Sequence, residues 1–347
     1  MTRLLLLASL SWLFWTQGPE SRTKVRFSTS APSDAELASR EALPTPGVTA
    51  RAGLASPTRS PWIVANGWRL TRHPDAKYRY DLPAGKAALA AAETFAYGAD
   101  AILKIDPADT AGLGAMLTFL EGLPAADLPA IADLGMIDDG SPISGEVMNL
   151  LARRNLLYQI VKAPSARFRL NIVMGSREYP VGDAADPSAF ALKIRRLLTD
   201  EQRALRVYGS EVVIGRLTGD AKRIRLHLIN YGGRKIEGLR LRLRGGYGTG
   251  DAYVEGEGRV PLQDHLVSDG ATEFSLPRLG TYAAVDLNAL NSAPAAAPAH
   301  ELPPAVRVRE EEERFRARQL VQIRPATLGS HHEERVVERI ARGAAAR

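Results

Sequence analysis

The chain has 347 residues and no cysteine, which removes disulfides, thiolate nucleophiles, Cys-ligated zinc and iron–sulfur clusters. Its length suits two domains plus tails, at roughly 100–200 residues per domain, and an apolar share of 45% with 24% charged residues excludes wholesale disorder and collagen-like repeats. The net charge of +6 is not a property of the centre, since residues 61–205 carry −1 and residues 1–60 carry +3; a nucleic-acid binder concentrates charge on a folded face, so no nucleic acid is expected as a partner.

Met1-Thr2-Arg3 precedes an apolar run from Leu4 to Trp15, broken only by Ser9 and Ser11. Twelve helical residues rise about 18 Å, short of a bilayer core of about 30 Å. One positive charge before a short apolar run predicts a secretory signal peptide over residues 1–18, hence export to the periplasm or the exterior. Contact with a membrane is expected only through this segment if it stays uncleaved; a start codon set too far upstream is the plain alternative. Residues 19–60, rich in Ser, Thr, Pro, Ala and Arg, read as a disordered linker.

From Pro61 strands and helices alternate. The sequence predicts a strand at Trp62–Ala65 and a helix over Lys86–Tyr97 stopped by Gly98. A strand at Ala101–Ile105 and a helix opened by Asp106-Pro107 and ending near Glu121 follow. Next come a strand at Ile131–Ile137, a tight loop at Asp138–Pro142, a helix Gly145–Arg154 capped by Ser144, and a strand at Leu156–Val161: a βαβ unit. Phe168–Met174 is a further strand, and Asp186-Pro187 opens a helix that runs through Leu198. The fold class is α/β, a Rossmann-like open and mostly parallel sheet over residues 61–205 with helices on both faces.

After Leu205 the period becomes two. Arg223, Arg225 and His227 alternate with Ile224, Leu226 and Leu228, and Arg240, Arg242 and Arg244 alternate with Leu239, Leu241 and Leu243. This predicts a small antiparallel β-sandwich over residues 206–291. Residues 292–347 read as a disordered tail with a charged helix at Val306–Ile323 and a solvated His331-His332 pair.

The candidate catalytic residues are Asp138, Asp139 and Glu146. Loops at the carboxyl ends of parallel strands hold ligands in open α/β sheets, and paired carboxylates can serve as acid and base in glycoside hydrolysis. Asp139, Ser141 and Glu146 also suit a turn and a first helical turn. Candidate ligand-binding residues are His73, Trp68 and Tyr78, an aromatic and polar stretch able to meet a sugar face, with Ser141 in the Asp-rich loop. Arg225 and Arg242 complete the set. They belong to an arginine ladder that falls on one face if its two strands pair, able to meet an anionic polysaccharide, a phosphate or a partner's acidic face, or to be an ordinary solvated face. Asp100, Asp106 and Asp133 lie beside predicted strands. No P-loop, HExxH or GxSxG element is present, and neither a cofactor nor a metal is expected.

The α/β unit carrying SGEVMNLLARRNLLYQIV, followed by RIRLHLINYGGRKIEGLRLRLRG and LGTYAAVDL, resembles the rear half of multidomain glycoside hydrolases. There a glutamine-amidotransferase-like α/β domain and a small β-domain follow a catalytic (β/α)8 barrel. The resemblance covers about residues 61–288 and omits the barrel. Amidotransferases use a cysteine nucleophile, so the resemblance implies no catalytic residue here. It implies an exported, non-catalytic, carbohydrate-associated or protein-binding module, with carbohydrate or a cell-envelope protein as partner and a homo-oligomer as an open outcome. Two alternatives are a divergent glycoside hydrolase using the Asp138–Glu146 loop, and a structural subunit of a cell-envelope assembly joined through the charged helix.

Overall fold

Capping side chains written into the chain start three of its six described α-helices, at Ser33, Ser141 and Asp186. The computed structural model describes residues 12–16, 26–28, 32–49, 62–248 and 250–290. In chain order these give β1 (Trp12–Thr16), β2 (Arg26–Ser28), α1 (Asp34–Ala38), β3 (Glu41–Leu43), β4 (Gly47–Thr49), β5 (Trp62–Val64), α2 (Gly67–Arg72), β6 (Lys77–Asp81), α3 (Ala87–Tyr97), β7 (Asp100–Lys104) and α4 (Thr110–Glu121). There follow β8 (Leu134–Ile137), α5 (Pro142–Arg153), β9 (Tyr158–Ile160), β10 (Leu170–Val173) and α6 (Pro187–Leu198). α6 begins where predicted: Asp186 accepts from the amides of Ser188 and Ala189, both at 3.0 Å, with Pro187 at the first position. α3 ends at Gly98, whose φ of 64° is the left-handed conformation that favours glycine. At its start α3 has no capping side chain of its own; the Asp109 carboxylate accepts from Gly85, Lys86 and Ala87 amides at 2.7–3.2 Å. This places a negative charge at the positive end of the helix.

The parallel strands form two groups rather than one open sheet. One sheet runs β2-β1-β7-β6-β3, with β3, β6 and β7 mutually parallel and β1 antiparallel to β7. The other runs β10-β8-β9, all parallel. β4 and β5 make a separate antiparallel ribbon, so Trp62–Val64 is no part of the parallel sheet. Residues 34–49, read above as linker, are built into the fold: β3 pairs with β6, and Leu43 is buried. Of the leader read over residues 1–18, only Trp12–Thr16 is described, as β1. The tail from 291, with the charged helix and the histidine pair, lies outside the described residues. Among the described residues, no helix is long and apolar enough to cross a membrane.

The remaining strands are β11 (Leu205–Val207), β12 (Val213–Gly219), β13 (Arg223–Asn230), β14 (Ile236–Arg244), β15 (Asp251–Val254), β16 (Gly258–Val260), β17 (Gln263–Ser268), β18 (Ala271–Leu279) and β19 (Tyr282–Asn288). They form two antiparallel sheets, β11-β14-β18-β17 and β12-β13-β19-β15-β16. Leu239, Leu241, Leu243, Phe274 and Leu276 of the first share one core with Leu226, Leu228, Val254, Val285 and Leu287 of the second, as two stacked sheets require.

β13 and β14 therefore do not pair, because the chain crosses from one sheet to the other between them. The arginine ladder is split: Arg223 and Arg225 belong to one sheet, and Arg240, Arg242 and Arg244 to the other. Nor is the polar side of β13 solvated. Ile214, Ile229, Tyr231, Tyr282 and Ala284 join a core cluster with Leu89, Ala92, Leu113 and Met116 of α3 and α4, so this sheet is covered on both faces. Arg225 is only 3% exposed and lies in a bidentate pair with Asp286 at 2.6 and 2.5 Å. His227 shares a 2.7 Å hydrogen bond with the Tyr282 hydroxyl. Burial first, and then Arg216 and Arg225, hold its imidazole well below the usual range.

Candidate functional site

A cleft of about 590 Å³ follows β9 from Leu157 to Lys162 and reaches the carboxyl end of β8 at Asp138. α2, through Arg72, and β12, through Arg216, supply its walls, with Tyr97 at the end of α3. Its floor and sides are apolar: Leu70, Ile131, Ile137, Leu156, Ile160 and Leu217.

Asp138 is drawn into a fork. Arg72 Nε donates to Oδ2 at 2.7 Å and Arg72 Nη2 to Oδ1 at 2.8 Å, and Nη2 also reaches the Ser141 carbonyl at 3.1 Å. Such planar bidentate pairing is the strong, oriented form of an ion pair. The arginine can lie there because α5 carries glycine at position 145. A Cβ on Gly145 would stand 2.9 Å from the Trp68 ring and 3.0 Å from Arg72 Nη1. Trp68 accordingly packs half-buried against α5, with the Arg69 guanidinium 4.2 Å over its ring.

Tyr158 stands beside this pair. Its hydroxyl is buried without a hydrogen-bond partner, an arrangement that costs free energy until a partner arrives. Burial, reinforced by Tyr97, pushes this phenol well above its usual range against the pull of Arg72, so it is a proton donor throughout the physiological range. Burial likewise pushes Tyr97 up to about 12. The Arg216 guanidinium lies 5.0 Å from the Tyr97 ring centroid and donates to the Ala96 carbonyl.

The other carboxylates of the Asp-rich loop are not in this cleft. Asp139 is exposed and accepts the Ser141 amide at 2.9 Å, as Asp138 accepts that of Gly140 at 3.0 Å. Burial pushes the Asp139 carboxyl up, but hydrogen bonds from Ser144 and Ser141 outweigh it and hold the group below its ordinary value. That is the wrong direction for a general acid, which needs a raised pKa. Glu146 sits half-buried on α5 and accepts Asn149 Nδ2 at 3.3 Å. Ser141, rather than the predicted Ser144, is the N-cap: its hydroxyl accepts the Ser144 amide at 3.1 Å and the helix starts at Pro142. Ser141→Ala is expected to cost about 1 kcal/mol of stability, read as a shift of the urea midpoint at unchanged slope.

The remaining candidates scatter. Tyr78 is sealed in the core, its hydroxyl donating to the His73 and Arg69 carbonyls at 2.7 and 3.2 Å; its ring offers no face to a sugar. His73 is exposed at the end of α2. Arg225 is consumed by Asp286. Arg242 reaches the Glu201 carbonyl at 3.2 Å and lies 3.8 Å from Glu273.

Sequence reasoning missed Arg72, Tyr97, Tyr158 and Arg216. No local signal links Arg72 to a carboxylate 66 residues away, whereas the rule that directed attention to the end of β8 applies equally to β9 and its Tyr158–Lys162 stretch. It missed Glu93 too. That carboxylate is buried on α3 and accepts from the Asn66 amide (2.6 Å), Asn66 Nδ2 (3.1 Å), the Tyr80 hydroxyl (2.9 Å) and the Tyr231 hydroxyl (2.7 Å). Among the described residues, no group of three His, Asp or Glu side chains is placed to hold a metal ion.

No protein-family model matches the chain, and no curated protein matches it. Among solved structures it is similar to alpha-L-fucosidase isoenzyme 2 from Paenibacillus thiaminolyticus, at 9% identity over 64% of this chain and 62% of that one, with a TM-score of 0.47. It is also similar to Gan42B, a GH42 beta-galactosidase from G. stearothermophilus, at 9% identity over 71% and 53% of the two chains, TM-score 0.37. A cold-adapted beta-galactosidase from Rahnella sp. R3 follows at 12% identity over 64% and 61%, TM-score 0.34. All three are glycoside hydrolases, and the chain spans less than two thirds of the length of each.

Proposed function

We propose that this chain is a non-catalytic module that holds a carbohydrate in the cleft between α2, β9 and β12. The observation that carries the reading is the cleft's acid–base content. Asp138 is the one carboxylate among its described lining residues, and both of its oxygens are committed to Arg72. Glycoside hydrolysis asks for two carboxylates flanking the scissile bond; this cleft offers apolar walls with polar groups set among them, the composition of a binding site. The α/β part is read as the amidotransferase-like accessory domain of a glycoside hydrolase, and the apolar run Leu4–Trp15 as an export signal that stays uncleaved, because Trp12–Trp15 pairs with β7.

The test uses the full chain on a broad glycan array, with titration calorimetry on the hits and a panel of aryl glycosides assayed in parallel. Saturable binding of at least one glycan, weakened several-fold by Arg72→Ala, and no glycoside turnover are expected. An empty array would overturn the reading. Turnover abolished by Asp138→Asn would replace it with the enzyme reading.

A further inference from the structure

β9 ends its sheet, and its open side faces the cleft. It is the last strand in the order β10-β8-β9, and the cleft is lined without a break from Leu156 to Lys162. Along a parallel strand every second residue turns both its amide and its carbonyl to the same neighbour. The Leu157 carbonyl accepts the Leu134 amide at 3.1 Å, and the Val161 amide donates to the Met136 carbonyl at 2.9 Å, so Leu157, Gln159 and Val161 face β8. Tyr158 and Ile160 turn their amides and carbonyls the other way. Among the described residues none of these four groups has a hydrogen-bond partner. The other polar groups of the cleft are engaged. Arg72 and Asp138 hold each other, Arg216 donates to the Ala96 carbonyl, Gln159 gives its Nε2 to the Ala130 carbonyl and Thr71 its hydroxyl to the Gly67 carbonyl. The main chain of β9 thus offers an uncharged row of two donors and two acceptors, with Lys162 at its end. The Tyr158 hydroxyl, buried without a partner, is a further group able both to give and to accept.

Such an edge calls for groups that give and accept side by side. Each hydroxyl of a neutral sugar does both, whereas an ionised carboxylate only accepts and would leave the Tyr158 and Ile160 carbonyls facing negative charge. The two open residues stand about 6.6 Å apart, the advance of two strand residues, so a single hydroxyl cannot serve both and a chain of sugars can. A peptide strand carries the same groups, but β9 is three residues long, and short edge strands are one of the ways in which a sheet avoids recruiting another. Resting on the saccharide reading above, we propose that the ligand of this cleft is a neutral, linear oligosaccharide lying along β9, its hydroxyls bonded to the main chain of Tyr158 and Ile160.

The experiment follows amide hydrogen exchange of the full chain, residue by residue, with and without saturating cellotetraose, xylotetraose, β-1,4-mannotetraose, β-1,4-galactotetraose and any array hit. The parent monosaccharides, oligogalacturonate and tetra-alanine are titrated alongside. In the free protein the Gln159 and Val161 amides are expected to be protected and those of Tyr158 and Ile160 to exchange readily. At least one neutral tetrasaccharide is expected to slow the latter pair by about tenfold or more, and to bind several-fold tighter than its monosaccharide and than oligogalacturonate. Ile160→Pro removes an amide that makes no ladder bond, at an edge position where proline is tolerated, and is expected to weaken that tetrasaccharide several-fold; should the variant fail to fold, exchange in the wild type decides alone. Protection of Tyr158 and Ile160 in the free chain, or a bound neutral sugar that leaves both amides exchanging as before, would overturn this inference and leave the saccharide reading standing. So would equal or tighter binding of oligogalacturonate. Tighter binding of tetra-alanine would overturn it in favour of a peptide strand, and failure of every sugar, here and on the array, would remove both readings.

Discussion

Glu93→Ala is expected to lower the stability of the protein by roughly 4 kcal/mol or more, because it strands four buried donors at once. The Asn66 amide and side chain, Tyr80 and Tyr231 all point at this one carboxylate, which is 0% exposed. Each buried polar group left without a partner costs about 1–3 kcal/mol, so the loss sums over α2, β6 and the segment after β13. The measurement is urea unfolding followed by circular dichroism, with the melting temperature expected to fall by about 10 °C. Glu93→Gln keeps an acceptor and is expected to cost about half as much. A loss below about 1 kcal/mol for the alanine variant would show that these donors find other partners.

The same residue gives a pH signature. Burial pushes the Glu93 carboxyl above its ordinary value of 4.5, against the hydrogen bonds from Tyr231, Asn66 and Tyr80. Above pH 4.5 the unfolded chain releases this proton while the native chain still binds it. Stability therefore falls as pH rises from 4.5 to the raised native value, and is level beyond it.

Asp133→Asn carries the second large effect. Asp133 accepts the Ala204 amide at 2.7 Å and lies 3.3 Å from Arg244 and 4.0 Å from Arg169. It joins the start of β8 to the start of β11. Burial lifts its carboxyl to about 6 from an ordinary 3.8, outweighing the Ala204 hydrogen bond and the charges of Arg244 and Arg203. Between those two values the unfolded state is ionised and the native state protonated. The wild type accordingly loses about 3 kcal/mol as pH climbs through that window. The asparagine variant does not titrate there. Because Glu93 slopes the same way, the quantity to follow is the difference between wild type and Asp133→Asn in urea unfolding at pH 4, 5, 6 and 7. That difference is expected to swing toward the variant by about 2 kcal/mol from pH 4 to pH 6 and to level off by pH 7. A constant difference would mean that Asp133 is ionised throughout.

The parts of the fold that could be read from the chain are those decided within a few residues. Asp186-Pro187 starts α6 and Gly98 stops α3, because cap geometry is local. The Lys, Arg and Asp of Lys77–Asp81 suggest a loop, yet Tyr78 and Tyr80 alternate inward and make it an interior strand of its sheet. The arginine ladder shares one face only if β13 and β14 pair, and the residue that decides this is Tyr231. That tyrosine is buried to reach Glu93, and its burial carries the chain into the other sheet. For the site, Asp138 stood out because acidic residues in turns are visible in sequence, but its meaning depends on Arg72, a long-range partner. Glu93 had a legible sign: α3 is apolar on every face, and a helix apolar all round is buried, so its lone glutamate had to be buried and satisfied.

The core shared by α3, α4 and the β12-β13-β19 sheet bears on how such a chain is inherited. An accessory domain that moves freely between proteins closes its own core at its own borders. Here the helices lean on Ile214, Ile229 and Tyr282 across the Leu205 border, and Tyr231 completes the hydrogen bonding of Glu93 on the far side. A recombination event at that border would leave both pieces with raw apolar surface and the carboxylate with a missing donor. The span from β1, which pairs with β7, to β19 is thus the piece that duplication, transfer or loss would have to handle together.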